Sequence, residues 1–251
     1  MPDTSWPLPF WIAHRGAGLL APENTLAAFR VGAGHGYRAF ECDVNLSADG
    51  VPFLFHDATL DRTTRQPGAA HECTWAQLSQ ADAGGWHGRA YAGEPIPSFA
   101  AIAAYCIRNG FGLNVEIKPA GGHELATGRA VAATAARLWD GQALRPLLSS
   151  FRPQALEGAR EGAAHLPRAL LLEQWRDGWL EEAQALGCVA VVCAHAMLDA
   201  EVIARVHGAG MRSMAYTVND PAEARRLAAA RIDGLITDAV DRFSPGAGVH
   251  N

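Results

Sequence analysis

Three fragments, well separated in the chain, carry residue types suited to cleaving a phosphate ester. His14-Arg15-Gly16 ends the apolar run Phe10-Trp11-Ile12-Ala13, and Glu41-Cys42-Asp43 is followed, thirteen residues after Asp43, by His56-Asp57. Asn114-Val115-Glu116-Ile117-Lys118-Pro119 adds a carboxylate and a cation. Glu41 with Asp43, and Glu116 with Lys118, are spaced two apart, which puts each pair on one face of a strand. Cys42, Val44, Val115 and Ile117 then face surrounding helices. Carboxylates gathered at one point repel, by on the order of 4 kcal/mol for two charges about 4 Å apart at an effective dielectric of about 20. Such a set takes up a proton or binds a cation. An all-oxygen set favours Mg2+, Ca2+ or Mn2+ over zinc.

His14 and His56 suit a general acid and a general base, because imidazole titrates close to neutral pH. Which histidine plays which part stays open. Arg15 and Lys118 suit the non-bridging oxygens of a phosphate. Taken singly these residues have blander uses: strand-end carboxylates pair with cations or cap helices, and Lys118 can pair with Glu116 or Asp43. What points to chemistry is their placement together at the ends of neighbouring strands.

The elements that must bring them together are legible. Short apolar runs at 10–14, 38–44, 113–117, 147–150, 168–172, 189–193, 212–217 and 234–237 predict eight strands. Between them, apolar spacings of three and four predict helices, for example over 25–34, 124–138 and 220–230. Asn24 or Thr25 can cap the first, Gly34 and Gly36 end it, and Asp220-Pro221 opens the last. Eight alternating units over about 250 residues predict an α/β fold, a (β/α)8 TIM barrel whose site lies at the C-terminal strand ends. An open doubly wound sheet competes, but the phosphate-loop glycine fingerprints are absent.

Asp49-Gly50 is a tight-turn signal, so 44–55 reads as a hairpin that returns His56 to the level of Asp43. A parallel barrel strand there would need a longer crossover. Residues 57–97 lack periodicity and read as an insertion over the barrel mouth. The expected domain is thus a single barrel over 8–243, with 244–251 as a loose tail. Ser150 ends a strand but sits in no G-x-S-x-G elbow, so it reads as pocket lining. His195 follows the strand at 189–193 and is a candidate for reaching the mouth. His35 reads as a helix-end contact, and the remaining histidines as surface residues.

Bulk properties narrow the class. With 49% hydrophobic and 19% charged residues, the 251-residue chain is an ordinary globular protein, and a net charge of −5 without a basic cluster argues against nucleic acid as partner. Five cysteines with no complete zinc spacing fit free thiols in a reducing cytosol. No signal peptide or membrane span is predicted, so the expected location is cytoplasmic.

The fragments, together with Pro22-Glu23-Asn24-Thr25, Asp61-Arg62-Thr63-Thr64, Leu148-Ser149-Ser150-Phe151, Tyr216-Thr217-Val218-Asn219 and Thr237-Asp238, occur in an order that resembles the glycerophosphodiester phosphodiesterases. The likeness spans about residues 11–243 and is greatest to bacterial cytosolic members. It implies a TIM barrel with a small insertion after the second histidine. It also implies one divalent cation, Mg2+ or Ca2+, on Glu41, Asp43 and Glu116, an acid–base pair in His14 and His56, and phosphate contacts from Arg15 and Lys118. Glu23, Ser150, His195 and Tyr216 fall at or beside the pocket. Two departures from the family pattern are Tyr216, where Trp is frequent, and Cys42 in the middle of Glu-x-Asp.

The expected activity is hydrolysis of a small glycerophosphodiester to sn-glycerol 3-phosphate and an alcohol, with water or the substrate's own hydroxyl as attacker. Two alternatives stand beside it. One is a phospholipase D-like or lysophospholipase activity on a lipid headgroup, for which Trp75, Trp86 and Trp175 are candidate rim residues. The other is a non-catalytic barrel that binds a phosphate ligand. The sequence assigns neither the leaving alcohol nor the oligomeric state.

Overall fold

The structure, a computed structural model, describes residue 6 and residues 8–246. Residues 247–251 of the expected tail lie outside the described residues. Eight parallel strands close a barrel: β1 (Trp11–Ala13), β2 (Ala39–Leu46), β4 (Gly112–Ile117), β5 (Leu147–Ser150), β6 (Arg168–Leu172), β7 (Ala190–Ala194), β8 (Arg212–Tyr216) and β9 (Gly234–Thr237). Closure comes from β1, which pairs in parallel with both β9 and β2. Every predicted strand is present, with ends at most two residues from those expected.

Strand alternation sorts two cores. Outward residues such as Cys42, Val44, Val115, Ile117, Leu148 and Val191 pack against the helices in one large cluster. Inward residues Ile12, Ala39, Leu147, Ala169, Leu171, Val192, Met214 and Ile236 fill the barrel below the site. Each buried aliphatic side chain of this size contributes roughly 1.5–3 kcal/mol.

The helices are α1 (Leu26–Gly34), α2 (Trp75–Leu78), α3 (Phe99–Asn109), α4 (Glu124–Leu138), α5 (Pro153–Gly162), α6 (Trp179–Ala185), α7 (Ala200–Gly208) and α8 (Pro221–Ala229). Of the two candidates for the first cap it is Thr25 that serves, its hydroxyl accepting from the Ala28 amide at 3.2 Å. Asp220 caps α8 through the amides of Ala222 and Glu223. Each such cap is worth about 1 kcal/mol.

The predicted hairpin is present. β3 (Pro52–Leu54) pairs antiparallel with the upper part of β2, Val44 opposite Leu54. The Phe55 amide then bonds the Asp43 carbonyl at 3.0 Å, which returns the chain to the carboxylates just before His56. From there to α3 the chain has its own small core, with Phe53, Phe55, Leu60, Leu78 and Ile96 packed together.

Candidate active site

The site is assembled where β2 and β4 end side by side. Their register sets Glu41 opposite Asn114 and Asp43 opposite Glu116. With the odd-even partners held in the helix-facing core, Glu41, Asp43 and Glu116 all turn inward. One carboxylate oxygen from each lies within 4.8 Å of the other two.

The β1–α1 loop fixes this cluster from above. The Arg15 amide donates to Glu41 Oε2 at 3.1 Å. Asn24 holds Asp43 twice, its Nδ2 donating to Oδ2 at 2.8 Å and its Oδ1 accepting from the Asp43 amide at 3.0 Å. Both Arg15 (φ +49°) and Asn24 (φ +60°) occupy the left-handed region, and the Asn24 amide bonds the Arg15 carbonyl at 3.0 Å. For a side chain such as Arg this conformation costs about 1–3 kcal/mol, and it persists because its neighbours hold it.

The two cations already face the carboxylates. The Arg15 guanidinium donates to Glu23 Oε1 at 2.9 Å, and its Nε lies 3.2 Å from Asp43 Oδ2. Lys118 Nζ lies 3.1 Å from Glu116 and 3.8 Å from Asp43. Burial opposes the charge on Asp43, but Arg15, His56 and Lys118 outweigh it and hold the carboxyl below its ordinary range. Glu41 goes the other way. Burial first, then the charges of Asp43 and Glu116, push it well above the usual carboxylate range. Burial and Asp43 push Glu116 up to about 7. Glu41 Oε1 is buried without a protein hydrogen-bond partner.

Each histidine is tied by Nδ1 to an aspartate. His14 Nδ1 lies 2.6 Å from Asp238 Oδ1, and its Nε2 lies 3.7 Å from Glu41 Oε2. Asp238 is itself held by Asn219, whose Oδ1 accepts from the Asp238 amide at 2.8 Å. Across the cleft, His56 Nδ1 lies 2.6 Å from Asp57 Oδ1. Arg62 donates to both oxygens of Asp57 and to both of Glu23, tying the inserted segment to the β1–α1 loop. The bonds from Arg62, assisted by His56, bring Asp57 down to about 2. An ionised aspartate at Nδ1 selects the tautomer with the proton there and leaves Nε2 as an acceptor. Burial lowers the pKa of His56, which favours its neutral form.

His14, Arg15, Glu41, His56, Asp57, Glu116 and Lys118 border one open cleft of about 1230 Å³ at the C-terminal strand ends, which also reaches Tyr216, Ser150, Phe151, Glu173 and Trp175. A site with three clustered carboxylates, two cations and two imidazoles can hold a dication, bind a phosphate and move protons on both sides of it.

The sequence pattern of the Glycerophosphoryl diester phosphodiesterase family matches residues 14–242. The chain belongs to this family. It is 31% identical over 232 residues to the glycerophosphodiester phosphodiesterase of Caldanaerobacter subterraneus subsp. tengcongensis, covering 90% of this chain and 93% of that one. Among solved structures it resembles an Oleispira antarctica phosphodiesterase in complex with the product sn-glycerol-3-phosphate, with a TM-score of 0.86, 32% identity, and coverage of 94% of this chain and 95% of that chain. The glycerophosphodiester phosphodiesterase of Agrobacterium tumefaciens str. C58 gives a TM-score of 0.79 at 26% identity, covering 94% and 99% of the two chains. Membership makes the chain an enzyme of the glycerophosphodiester phosphodiesterase class, so the non-catalytic alternative is set aside.

In this family member the predicted pocket residues divide. Tyr216 borders the cleft, its hydroxyl donating to the Leu172 carbonyl at 3.1 Å and its ring edge-on to Phe151. Ser150 also borders it, but its hydroxyl is spent on the Ile117 carbonyl at 2.8 Å. Glu23 is a bridge between Arg15 and Arg62. His195 lies apart from the other candidates. It does not line the cleft, because its Nδ1 is drawn to Glu223 of α8 at 3.0 Å.

The sequence assigns no site role to Asp238, Asp57, Arg62 or Asn219 and offers Asn24 only as a helix cap, although all five sit in the quoted motifs. Asp238 follows directly on a strand that ends at the mouth, a position that singles it out in a barrel. Among the described residues no helix is long and apolar enough to cross a membrane.

Proposed function

We propose that this enzyme hydrolyses glycerophosphodiesters to sn-glycerol 3-phosphate and an alcohol, using a divalent cation on Glu41, Asp43 and Glu116 and an acid–base pair formed by His14 and His56. The observation that carries the reading is the flanking of one carboxylate cluster by two imidazoles, each held at Nδ1 by an aspartate.

The residues fit a dication. Three carboxylates face two cations, so one negative charge is left over before an anionic phosphodiester arrives. The elevated proton affinities of Glu41 and Glu116 and the unpartnered Oε1 of Glu41 express the same deficit. Oxygen-only donors suit Mg2+, Ca2+ or Mn2+. When bound, such an ion polarises the phosphoryl group and lowers the pKa of an attacking hydroxyl or water.

The remaining work falls to the chain. Arg15 and Lys118 meet the non-bridging oxygens and the charge that builds on them. One imidazole accepts the proton of the attacking oxygen at Nε2. The other, protonated at Nε2, donates to the departing alcohol oxygen. Asp238 and Asp57 stabilise the imidazolium in each case and keep the rings oriented.

We treat the barrel and the inserted segment as one catalytic domain, with Asp57, Thr59 and His71 of the insertion bordering the mouth. None of the five cysteines forms a disulfide, which supports a reducing, cytoplasmic location.

His14→Ala and His56→Ala, assayed separately on glycerophosphocholine, test the reading. Each is expected to lose at least about a hundredfold in kcat. A near-normal rate in either variant removes that histidine from the mechanism.

A second reading, cleavage at a lipid headgroup, is favoured by exposed apolar side chains on loops of the mouth face: Leu19 at 77%, Trp86 at 42% and Trp175 at 41% exposure. Turnover of lysolipid above that of the soluble diester would select it.

A further inference from the structure

The floor of the cleft carries a side chain with no part in the scheme above. Asn114 lies on β4 two residues before Glu116 and is the register partner of Glu41. Its neighbours Leu113 and Val115 are buried in the helix-facing core, so strand alternation turns the Asn114 carboxamide inward with Glu116. It borders the cleft and is 1% exposed. Neither Nδ2 nor Oδ1 has a hydrogen-bond partner in the protein.

A buried polar group left unpaired costs roughly 1–3 kcal/mol. Folding gives no reason to accept that cost. The register partner of Asn114 on β5 is the inward-facing Leu147, against which an isosteric leucine would pack without it. The cost is offset once a ligand brings a donor to Oδ1 and an acceptor to Nδ2. A cation meets only the oxygen, and an ionised phosphoryl oxygen meets only the nitrogen. A hydroxyl meets both.

We propose that Asn114 is a specificity-determining residue that hydrogen-bonds a hydroxyl of the glycerol moiety at the cleft floor. The assignment rests on the proposed function and deepens it. It orients the diester: the glycerol end sits at the closed bottom beside Glu41 and Asn114, and the leaving alcohol points to the open mouth beside Trp175. It also selects against acylated glycerol. An esterified hydroxyl has no proton to donate to Oδ1, and its acyl chain would have to enter the closed end.

The test is calorimetric binding of the product with Mg2+ present, which reads the contact apart from turnover. The probes are sn-glycerol 3-phosphate and two analogues, one lacking the secondary hydroxyl and one lacking the terminal hydroxyl. The unaltered enzyme is expected to bind the full product roughly tenfold or more tighter than at least one analogue. Asn114→Leu is expected to reduce that preference to about twofold or less, with a Tm equal to or above that of the unaltered chain. Asn114→Ala is the second variant should the leucine fail to fold.

A preference retained in the variants overturns the proposal. So does equal binding of all three probes by the unaltered enzyme, the outcome for an amide satisfied by a resident water. If the unaltered enzyme binds none of the probes and turns over no diester, the proposed function fails and takes this assignment with it. If it hydrolyses diesters without discriminating the analogues, only the role of Asn114 fails.

Discussion

Nδ1 of His14 and Oδ1 of Asp238 are 2.6 Å apart, although 224 positions separate the two residues in the chain. Barrel closure makes this contact, because β1 and β9 are register partners and end together. The same bond recurs between His56 and its immediate neighbour Asp57. One long-range and one local pairing thus give each imidazole an aspartate at Nδ1.

Asp238→Asn and Asp57→Asn should therefore lower kcat by about a hundredfold or more while leaving Tm within a few degrees. An amide is nearly isosteric, but it cannot stabilise an imidazolium and can donate to Nδ1, which reverses the tautomer. Steady-state kinetics beside thermal melts check this. A loss confined to KM would show instead that the aspartates serve substrate binding.

Removing divalent ions should give the protein a specific pH dependence. In the metal-free chain Glu116 is raised to about 7 and Glu41 is raised as well, above the unfolded value of ~4.3. Their neutral forms are favoured in the folded state. The stability tied to them is full below the unfolded pKa and is lost as pH rises through about 7. A bound dication favours the ionised forms and reverses the trend. The Tm increment on adding Mg2+ or Ca2+ to chelator-treated protein should be larger at alkaline than at mildly acidic pH. An increment independent of pH would place the ion elsewhere.

Gly18→Ala should damage stability and catalysis together. Gly18 has φ +54°, and a Cβ there would sit 2.1 Å from the Asp238 carbonyl oxygen. Both strain and collision displace the loop that carries Arg15 and the strand end that carries Asp238. A loss of roughly 2–4 kcal/mol is expected in denaturant unfolding, with a fall in kcat at temperatures where the variant is still folded.

The cysteines should differ in reactivity. Burial pushes Cys106, Cys188 and Cys193 up to about 12, and Cys42 is raised as well. Cys73 is the one partly exposed thiol of the five. Iodoacetamide on the native protein at mildly alkaline pH should give a single adduct at Cys73, read by peptide mass spectrometry. Multiple adducts would mean that the helix-facing core opens.

Much of the site was legible because strand-end chemistry obeys simple spacing. Glu41 with Asp43 and Glu116 with Lys118 share faces at a period of two, and apolar partners such as Cys42 and Val115 fix which face. The hairpin was legible from Asp49-Gly50. What escaped depends on distances that sequence does not encode. His14 and Asp238 meet only once the barrel closes. His195 stands at a strand end like the catalytic candidates, yet Glu223 on a neighbouring helix draws its ring aside. Asn114 reads as an ordinary polar strand residue until burial and missing partners are known. The inserted segment lacks periodicity because its apolar residues, such as Leu60, Leu78 and Ile96, serve a small core of irregular loops.

His14 rides on the barrel wall, whereas His56 hangs from the return limb of a two-stranded arm, braced by Arg62. The two imidazoles are therefore held in different ways, one by barrel closure and the other by the hairpin and its tie to the β1–α1 loop. Because Arg62 also grips Glu23, which Arg15 holds in turn, the arm and the loop above the carboxylates form one continuous brace.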